Sequence, residues 1–101
     1  MFTFEDLHRV DGAGIQALLR AVEKDRLALA LKGGSEALRE LFLRNMTERA
    51  AKLLRDDIAA LGPVRLRDVD EAQAAVVALA KDMAAQGQLE LKGLGEEEML
   101  A

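Results

Sequence analysis

The sequence predicts an all-α domain, a compact orthogonal bundle of about six short helices. Apolar residues recur at spacings of three and four along most of the chain, which places them on one side of a helix. Only three of the 101 residues are aromatic, so the core has to be built from leucine, valine, isoleucine, methionine and alanine, a composition that favours helices. The periodic segments are short and joined by short turns, which favours crossing helices over a long parallel bundle.

The first two helices are predicted from polar residues that precede apolar repeats. Thr3 and Asp6 form a capping box, with aspartate where glutamate is usual, ahead of the first helix. Asp11 is the predicted N-cap of the second helix, whose apolar residues repeat at i, i+3, i+4 and i+7. Gly12 and Gly14 lie at the start of this helix and are expected to weaken it by about 0.5–1 kcal/mol each relative to alanine.

The third helix has an ambiguous local pattern. Asp25 is its predicted N-cap, and residues 27–31 alternate leucine with alanine, a period of two that also fits a strand. Both residue types favour helices and neither favours strands, so we predict a short buried helix. The run Lys32-Gly33-Gly34 is expected to end it, with a glycine free to adopt the left-handed conformation.

The last three helices each begin at a side chain that can accept a hydrogen bond from the free backbone N–H groups of a helix start. These N-caps are Ser35, Thr47 and Asp68, the last in a capping box with Glu71. Gly62 and Pro63 end the fifth helix, and Gly87 ends the sixth. The apolar residues expected to be buried are Leu38, Leu41, Phe42 and Met46 in the fourth helix and Val69, Ala72, Val76, Leu79 and Met83 in the sixth.

The C-terminal residues complete the predicted domain. Leu89 and Leu91 alternate with charged residues, which indicates a short extended segment that packs back on the helices. Residues 93–101 are rich in glycine and glutamate and are predicted to form a flexible tail. The folded domain is therefore expected to cover residues 1–92.

Composition and charge argue against several classes of protein. The formal net charge of −4 opposes nucleic-acid binding, including a helix-turn-helix module at residues 35–46 and 47–61. The absence of cysteine excludes disulfides and thiol chemistry. No apolar run approaches the roughly 20 residues that span a bilayer, so no membrane insertion is expected. The N-terminus lacks the basic and apolar segments of a signal peptide.

No catalytic residue, metal ion or cofactor is expected. The chain has no glycine-rich phosphate loop and no cluster of histidine and acidic residues with metal-ligand spacing. Asp56 and Asp57 are adjacent, but neighbouring residues on a helix diverge by roughly 100°, so they do not form a carboxylate pair. His8 is the only histidine and is predicted to be structural or exposed.

The fifth helix carries charges of both signs on the side opposite its apolar stripe. A helical wheel at roughly 100° per residue places Arg49, Lys52 and Asp56 on one side and Asp57 at the border, beside Leu53. The apolar stripe consists of Ala50, Ala51, Leu54, Ile58 and Leu61. By itself this pattern is typical of a solvated helix face, on which Lys52 pairs with Asp56 or Asp57 for a few tenths of a kcal/mol.

Five sequence motifs follow one another along the chain. They are Leu-Ala-Leu-Lys-Gly at 29–33, Asn-Met-Thr-x-Arg-Ala-Ala at 45–51, Leu-Arg-Asp-Asp at 54–57, Gly-Pro-Val-Arg-Leu at 62–66 and Asp-Val-x-Glu-Ala-Gln at 68–73. From residue 1 to about residue 91, the chain closely resembles the C-terminal domain of the FliG family of flagellar motor switch proteins. Several motifs in the same order make this resemblance specific.

The resemblance implies a rotor component of the bacterial flagellar motor switch, in the C-ring at the cytoplasmic face of the inner membrane. In this family a charged helix face contacts the cytoplasmic loop of the stator protein MotA, generates torque and takes part in switching the direction of rotation. The resemblance carries that role to five charged residues: Lys32, Arg49, Asp56, Asp57 and Arg65. The further partners it implies, through the full-length protein, are FliM, FliN and neighbouring FliG subunits.

The N-terminal residues Met1, Phe2 and Phe4 resemble the family's Met-Phe-x-Phe hinge, which joins this domain to a preceding armadillo-like part and lets the charged face reorient. Phe2 is expected to be partly exposed, because the residues before it are missing. The alternative to a motor role is a generic helical adaptor domain, which would bind another protein through an exposed apolar patch around Val76 and Val77.

Overall fold

A computed structural model describes residues 2–90 as helices joined by short turns. A 3₁₀ helix at Phe4–Arg9 comes first, and five α-helices follow it: α1 (Gly12–Ala21), α2 (Lys24–Lys32), α3 (Glu36–Arg44), α4 (Glu48–Ala60) and α5 (Leu66–Ala85). The predicted all-α class with six helices is confirmed for these residues. Met1, residues 91–101 and therefore the predicted tail lie outside the described residues, but Leu89 of the predicted extended segment is buried.

Most of the predicted helix ends are confirmed. Three N-caps accept a backbone hydrogen bond: Gly14 N–H donates to Asp11 Oδ1 at 2.8 Å, Leu38 N–H to Ser35 Oγ at 3.1 Å and Ala50 N–H to Thr47 Oγ1 at 3.1 Å. In the capping box before the 3₁₀ helix, the backbone N–H and hydroxyl of Thr3 donate to Asp6 Oδ2 at 2.8 and 3.0 Å. Gly62 and Gly87 have φ of +59° and +77° and follow the ends of α4 and α5.

Two predicted N-caps are wrong. The N-caps are Glu23 for α2 and Arg65 for α5, so Asp25 and Asp68 lie inside the first turns of these helices. The positive end of the helix dipole favours an acidic side chain anywhere in the first turn. Both aspartates therefore suit their positions without capping the helix.

An arginine from the next helix caps the end of α2. Gly33 has a φ of −94°, so the predicted left-handed ending is wrong. Arg39 of α3 donates from Nη1 to the carbonyl oxygens of Leu31, at 3.2 Å, and Gly34, at 2.7 Å. The Leu31 carbonyl lies in the last turn of α2 and also accepts from the N–H of Gly34 at 3.1 Å, so Arg39 adds a side-chain donor at this helix end.

Helix α2 lies at the centre of the packing, mainly against α5 and next against α4. Its leucines at 27 and 31 and its alanines at 28 and 30 are all buried, which confirms the short buried helix over the alternative strand. Gln73 of α5 donates from Nε2 to the carbonyl oxygen of Ala30 at 3.0 Å and so joins α5 to the last turn of α2. The most deeply buried large side chains are Phe42, Leu7, Ile15, Leu18, Leu31, Leu38 and Val76.

Several predictions of side-chain burial need correction. Leu41, Met46 and Leu79 are only half-buried, whereas Leu43 and Ala80 are buried. Phe2 is 5% exposed and not partly exposed as predicted, because its side chain joins the core cluster. Burial depends on where neighbouring helices cross, which the periodicity of one helix does not encode.

Gly14 has a packing reason that the helix propensities do not show. A Cβ atom at residue 14 would lie 2.4 Å from Val10 Cγ1 and 3.2 Å from Leu89 Cβ. Real Cβ atoms essentially never lie as close as 2.4 Å to another heavy atom, so a larger residue at position 14 would force Val10 to shift. Glycine lowers the helix propensity at this position, but it allows α1 to approach Val10 and Leu89 closely.

Candidate functional site

The exposed face of α4 carries charges of both signs, as the wheel predicts. Arg49, Lys52 and Asp56 are exposed, while Ala51 and Leu54 on the opposite side are buried. Lys52 Nζ lies 3.8 Å from Asp56 Oδ2, and this is the only ion pair formed within residues 2–90. The buried side of α4 therefore fixes the orientation of a solvated charged face.

Asp57 is exposed and lies at the edge of that face. Together with Leu53 and Lys24 it lines a small groove between α1, α2 and α4. Leu53 is 57% exposed. The border position that the wheel gives to Asp57 thus corresponds to the mouth of an apolar groove.

Lys32 is the last residue of α2 and lines a different groove, between α2, α3 and α4, with Glu36 and Arg55. It is half-buried. The hydrogen bonds of Arg39 close the helix end directly beside it, and the bond of Gln73 holds the same helix two residues earlier. The backbone of Lys32 is therefore held from both α3 and α5.

Arg65 lies in the turn between α4 and α5, and its side chain is exposed. This turn also exposes Leu61 by 38% and Leu66 by 75%. The prediction that Leu61 belongs to the buried stripe of α4 is wrong. Helix α4 ends at Ala60, and the left-handed Gly62 then turns the chain, so Leu61 has little of the core to pack against.

The five charged residues lie on different parts of the structure. Arg49 and Asp56 share the exposed face of α4, while Lys32 and Asp57 line separate grooves and Arg65 follows the helix. They form an array spread over α2, α4 and the following turn. Such an array can contact an extended partner surface, but it does not form a pocket for a small molecule.

The described residues contain no arrangement that would suggest a metal centre. Within residues 2–90 no group of three or more histidine or acidic side chains could hold a metal ion. None of the helices described here combines the length and the apolar character needed to cross a membrane.

Asp6 has a pKa below its ordinary value, chiefly because the backbone N–H of Thr3 and then its hydroxyl donate to the carboxylate.

The apolar patch that an adaptor domain would need is not present around Val76 and Val77. Val76 is fully buried and Val77 is half-buried. Helix α5 uses this side to pack against α2 in the core. Val76 therefore cannot contribute to an exposed patch, and nothing else in the described residues supports the adaptor hypothesis.

Comparison with known protein families gives a match over nearly the whole chain. A sequence model described as the FliG C-terminal domain matches residues 1–91. The chain belongs to the FliG C-terminal domain family. The resemblance proposed from the five motifs is therefore confirmed.

Individual FliG proteins agree with the family match. The chain is 54% identical over 101 residues to the flagellar motor switch protein FliG of Bradyrhizobium diazoefficiens, covering 99% of this chain and 31% of the relative. It is 53% identical over 100 residues to FliG of Pseudomonas aeruginosa, covering 99% of this chain and 30% of the relative. The chain thus spans about a third of the length of these relatives.

Solved FliG structures share the fold. A FliG fragment from H. pylori aligns with a TM-score of 0.89 at 35% identity, over 90% of this chain and 40% of that chain. Full-length FliG from Aquifex aeolicus aligns with a TM-score of 0.84 at 41% identity, over 86% of this chain and 27% of that chain. The arrangement of helices is therefore that of the FliG C-terminal domain.

The five sequence motifs and the charge pattern of α4 do not reveal the groove beside Asp57. Its walls come from three helices, and Lys24 is 33 positions away from Asp57 along the chain. The one sequence signal is the wheel position of Leu53, next to Asp57 and away from the apolar stripe. The structure also places Phe2 and Phe4 of the predicted hinge in the core, and Met1 lies outside the described residues.

Proposed function

We propose that this chain forms part of the rotor component of the bacterial flagellar motor switch and that the exposed face of α4 contacts the cytoplasmic loop of the stator protein MotA. The observation that carries this proposal is a row of exposed charges of both signs on a helix whose opposite side is buried. The similarity to proteins named flagellar motor switch protein FliG supports it.

We assign the stator contact to Lys32, Arg49, Asp56, Asp57 and Arg65. All but the half-buried Lys32 are exposed. Exposed ion pairs contribute only about 0.2–1 kcal/mol each and weaken with salt. Such weak contacts suit a rotor that engages and releases a stator repeatedly, and charges of both signs orient the partner more than they increase its affinity.

We also propose that the contact takes part in switching the direction of rotation, with the segment Met1, Phe2 and Phe4 as the hinge. Phe2 and Phe4 are each 5% exposed, so both rings are anchored in the core. An anchored end supports a hinge role, because rotation about the residues before the anchor would turn the whole charged face as one body.

The proposed location of the full-length protein is the C-ring of the flagellar basal body, at the cytoplasmic face of the inner membrane. FliM, FliN and neighbouring FliG subunits are its proposed further partners. We propose no role for a nucleic acid, a cofactor or membrane insertion.

The test is charge reversal in a motile bacterium whose full-length FliG carries this domain. We expect Arg49→Glu and Asp57→Lys each to lower the torque measured on tethered cells, and reversal of the matching MotA charge to restore it. Arg20→Glu is the matched control, because Arg20 is an exposed charge on α1. Normal torque in both reversal variants, with the protein folded and assembled into the motor, would overturn the proposal.

A further inference from the structure

A small apolar groove opens at the edge of the charged face of α4. Much of its wall comes from Leu19 of α1, Val22 just after α1, Met46 before α4 and Leu53 on α4, and its lining also includes Lys24 and Asp57. We call this set the α4 groove. Its volume is about 210 Å³. Pockets for small molecules have volumes of about 300–1,000 Å³, so the α4 groove suits one or two apolar side chains of another protein.

An apolar side chain interrupts the row of charges on α4. Arg49, Leu53 and Asp57 follow one another at intervals of four residues, which is about 6 Å per step along a helix. All three are exposed, and Leu53 is 57% exposed. A partner that lies along α4 therefore meets a positive charge, an apolar side chain and a negative charge in that order.

The charges at the groove are available to a partner. Lys24 and Asp57 both line the α4 groove, yet they form no ion pair with each other or with any other of residues 2–90. A basic side chain of a partner would complement Asp57, and an acidic one would complement Arg49 or Lys24. The pattern thus fits a segment with an apolar residue between an acidic and a basic residue.

We propose that the stator segment that meets α4 inserts an apolar side chain into the α4 groove, between an acidic residue that pairs with Arg49 and a basic residue that pairs with Asp57. This inference rests on the proposed contact with the stator. It adds an apolar anchor to a contact that the charges alone would orient but leave weak. Burial of one such side chain changes affinity by about tenfold to a hundredfold.

Salt separates the two kinds of contact. Exposed ion pairs are screened as ionic strength rises, whereas the burial of an apolar side chain is not. Charged residues should therefore govern binding in dilute salt, and Leu53 should govern the binding that persists in concentrated salt.

The experiment measures binding of this chain to the MotA cytoplasmic loop at about 50 mM and 500 mM salt, two conditions that differ roughly threefold in Debye length. We expect Leu53→Ser to weaken binding about tenfold at both concentrations. Arg49→Glu should weaken it mainly at the lower one. Ala50→Met, which fills the groove from inside and changes no charge, should act as Leu53→Ser does. Leu66→Ser is the matched control, since Leu66 is 75% exposed and does not line the groove.

Each outcome assigns the failure to one proposal. Loss of affinity in Arg49→Glu with wild-type affinity in both Leu53→Ser and Ala50→Met overturns the apolar anchor and leaves the charge contact standing. Absence of binding by the unaltered chain overturns both proposals. Sedimentation equilibrium tests whether the free chain associates with itself. If it does, and Leu53→Ser abolishes the association, the groove binds a second copy of the chain and the apolar-anchor proposal is overturned. Thermal unfolding of every variant shows that it is folded.

Discussion

Lys52 Nζ lies 3.8 Å from Asp56 Oδ2 on the exposed face of α4, so the helix partly neutralises one of the charges assigned to the stator contact. The two side chains are 79% and 65% exposed. Here lysine precedes the acidic residue by four positions, and this order stabilises a helix less than the reverse order does. A partner that binds Asp56 therefore has to displace only the weakly paired ammonium group of Lys52.

Lys52→Ala should change the free energy of unfolding by no more than about 0.5 kcal/mol, because the pair is exposed. The same variant should bind a basic partner more tightly in dilute salt, since Asp56 no longer has a competing cation. Urea unfolding and the loop-binding assay measure these two effects. Lys52→Arg keeps the competing charge and serves as the control. A loss of stability above about 1 kcal/mol would contradict the expectation for an exposed pair.

Thr47→Ala should destabilise the chain by about 1 kcal/mol, because it removes the acceptor for the N–H of Ala50. The loss should concentrate at the start of α4, next to Arg49. Hydrogen exchange of the first-turn amides of α4 measures this fraying. Thr47→Ser retains the hydroxyl and should keep most of the stability. Equal losses in the two variants would show that the hydroxyl does not cap the helix.

Gly14→Ala should destabilise the chain even though alanine is the better helix former. The new Cβ would lie 2.4 Å from Val10 Cγ1. Overpacking of this kind costs about 1–3 kcal/mol, which exceeds the gain of about 0.5–1 kcal/mol in helix propensity. Thermal unfolding should show a lower Tm. The control is Ala13→Gly at the exposed neighbour, where propensity alone predicts a loss. A higher Tm for Gly14→Ala would refute the packing role of Gly14.

The capping box of the 3₁₀ helix should make stability depend on pH in the acidic range. Hydrogen bonds from Thr3, and the positive charges of Arg9 and His8, lower the pKa of Asp6 against the raising effect of burial. A group whose pKa is lower in the folded state stabilises the fold above its unfolded pKa, which is about 3.9 for aspartate. This contribution is lost as the pH falls through the folded pKa.

Asp6→Asn should therefore be less stable than the unaltered chain at neutral pH, and the difference should shrink as the pH falls below about 3.9. Urea unfolding at several pH values measures it, and an NMR titration of the Asp6 carboxyl carbon gives the pKa directly. Thr3→Ala removes the hydroxyl donor but keeps the backbone N–H. The pKa of Asp6 should therefore rise only part of the way back to its ordinary value in this variant. A difference that stays constant with pH would contradict this account.

The helices could be predicted because their apolar periodicity reflects burial on one side. The N-caps Asp11, Ser35 and Thr47 could be predicted because a short side chain ahead of a helix has a direct hydrogen-bonding role. Asp25 and Asp68 show the limit of that signal: an aspartate inside the first turn gains from the helix dipole without being the cap.

The charged face of the site could also be predicted, because one helix contains it. The wheel placed Arg49 and Asp56 opposite the core, and the structure shows both exposed. The α4 groove could not be predicted, because three helices contribute its walls. The ending of α2 could not be predicted either, since its cap is Arg39 from the next helix.

The central position of α2 has a mechanical consequence. Helix α4 packs on α2 and α2 packs on α5, and the amide of Gln73 ties the backbone of α2 to α5. A force on α4 is therefore carried into the packed centre of the molecule, which has low compressibility. Lys32 stands at the end of the same central helix, so a force applied there enters by the same route. Under load, the weak surface contacts should dissociate well before the domain unfolds.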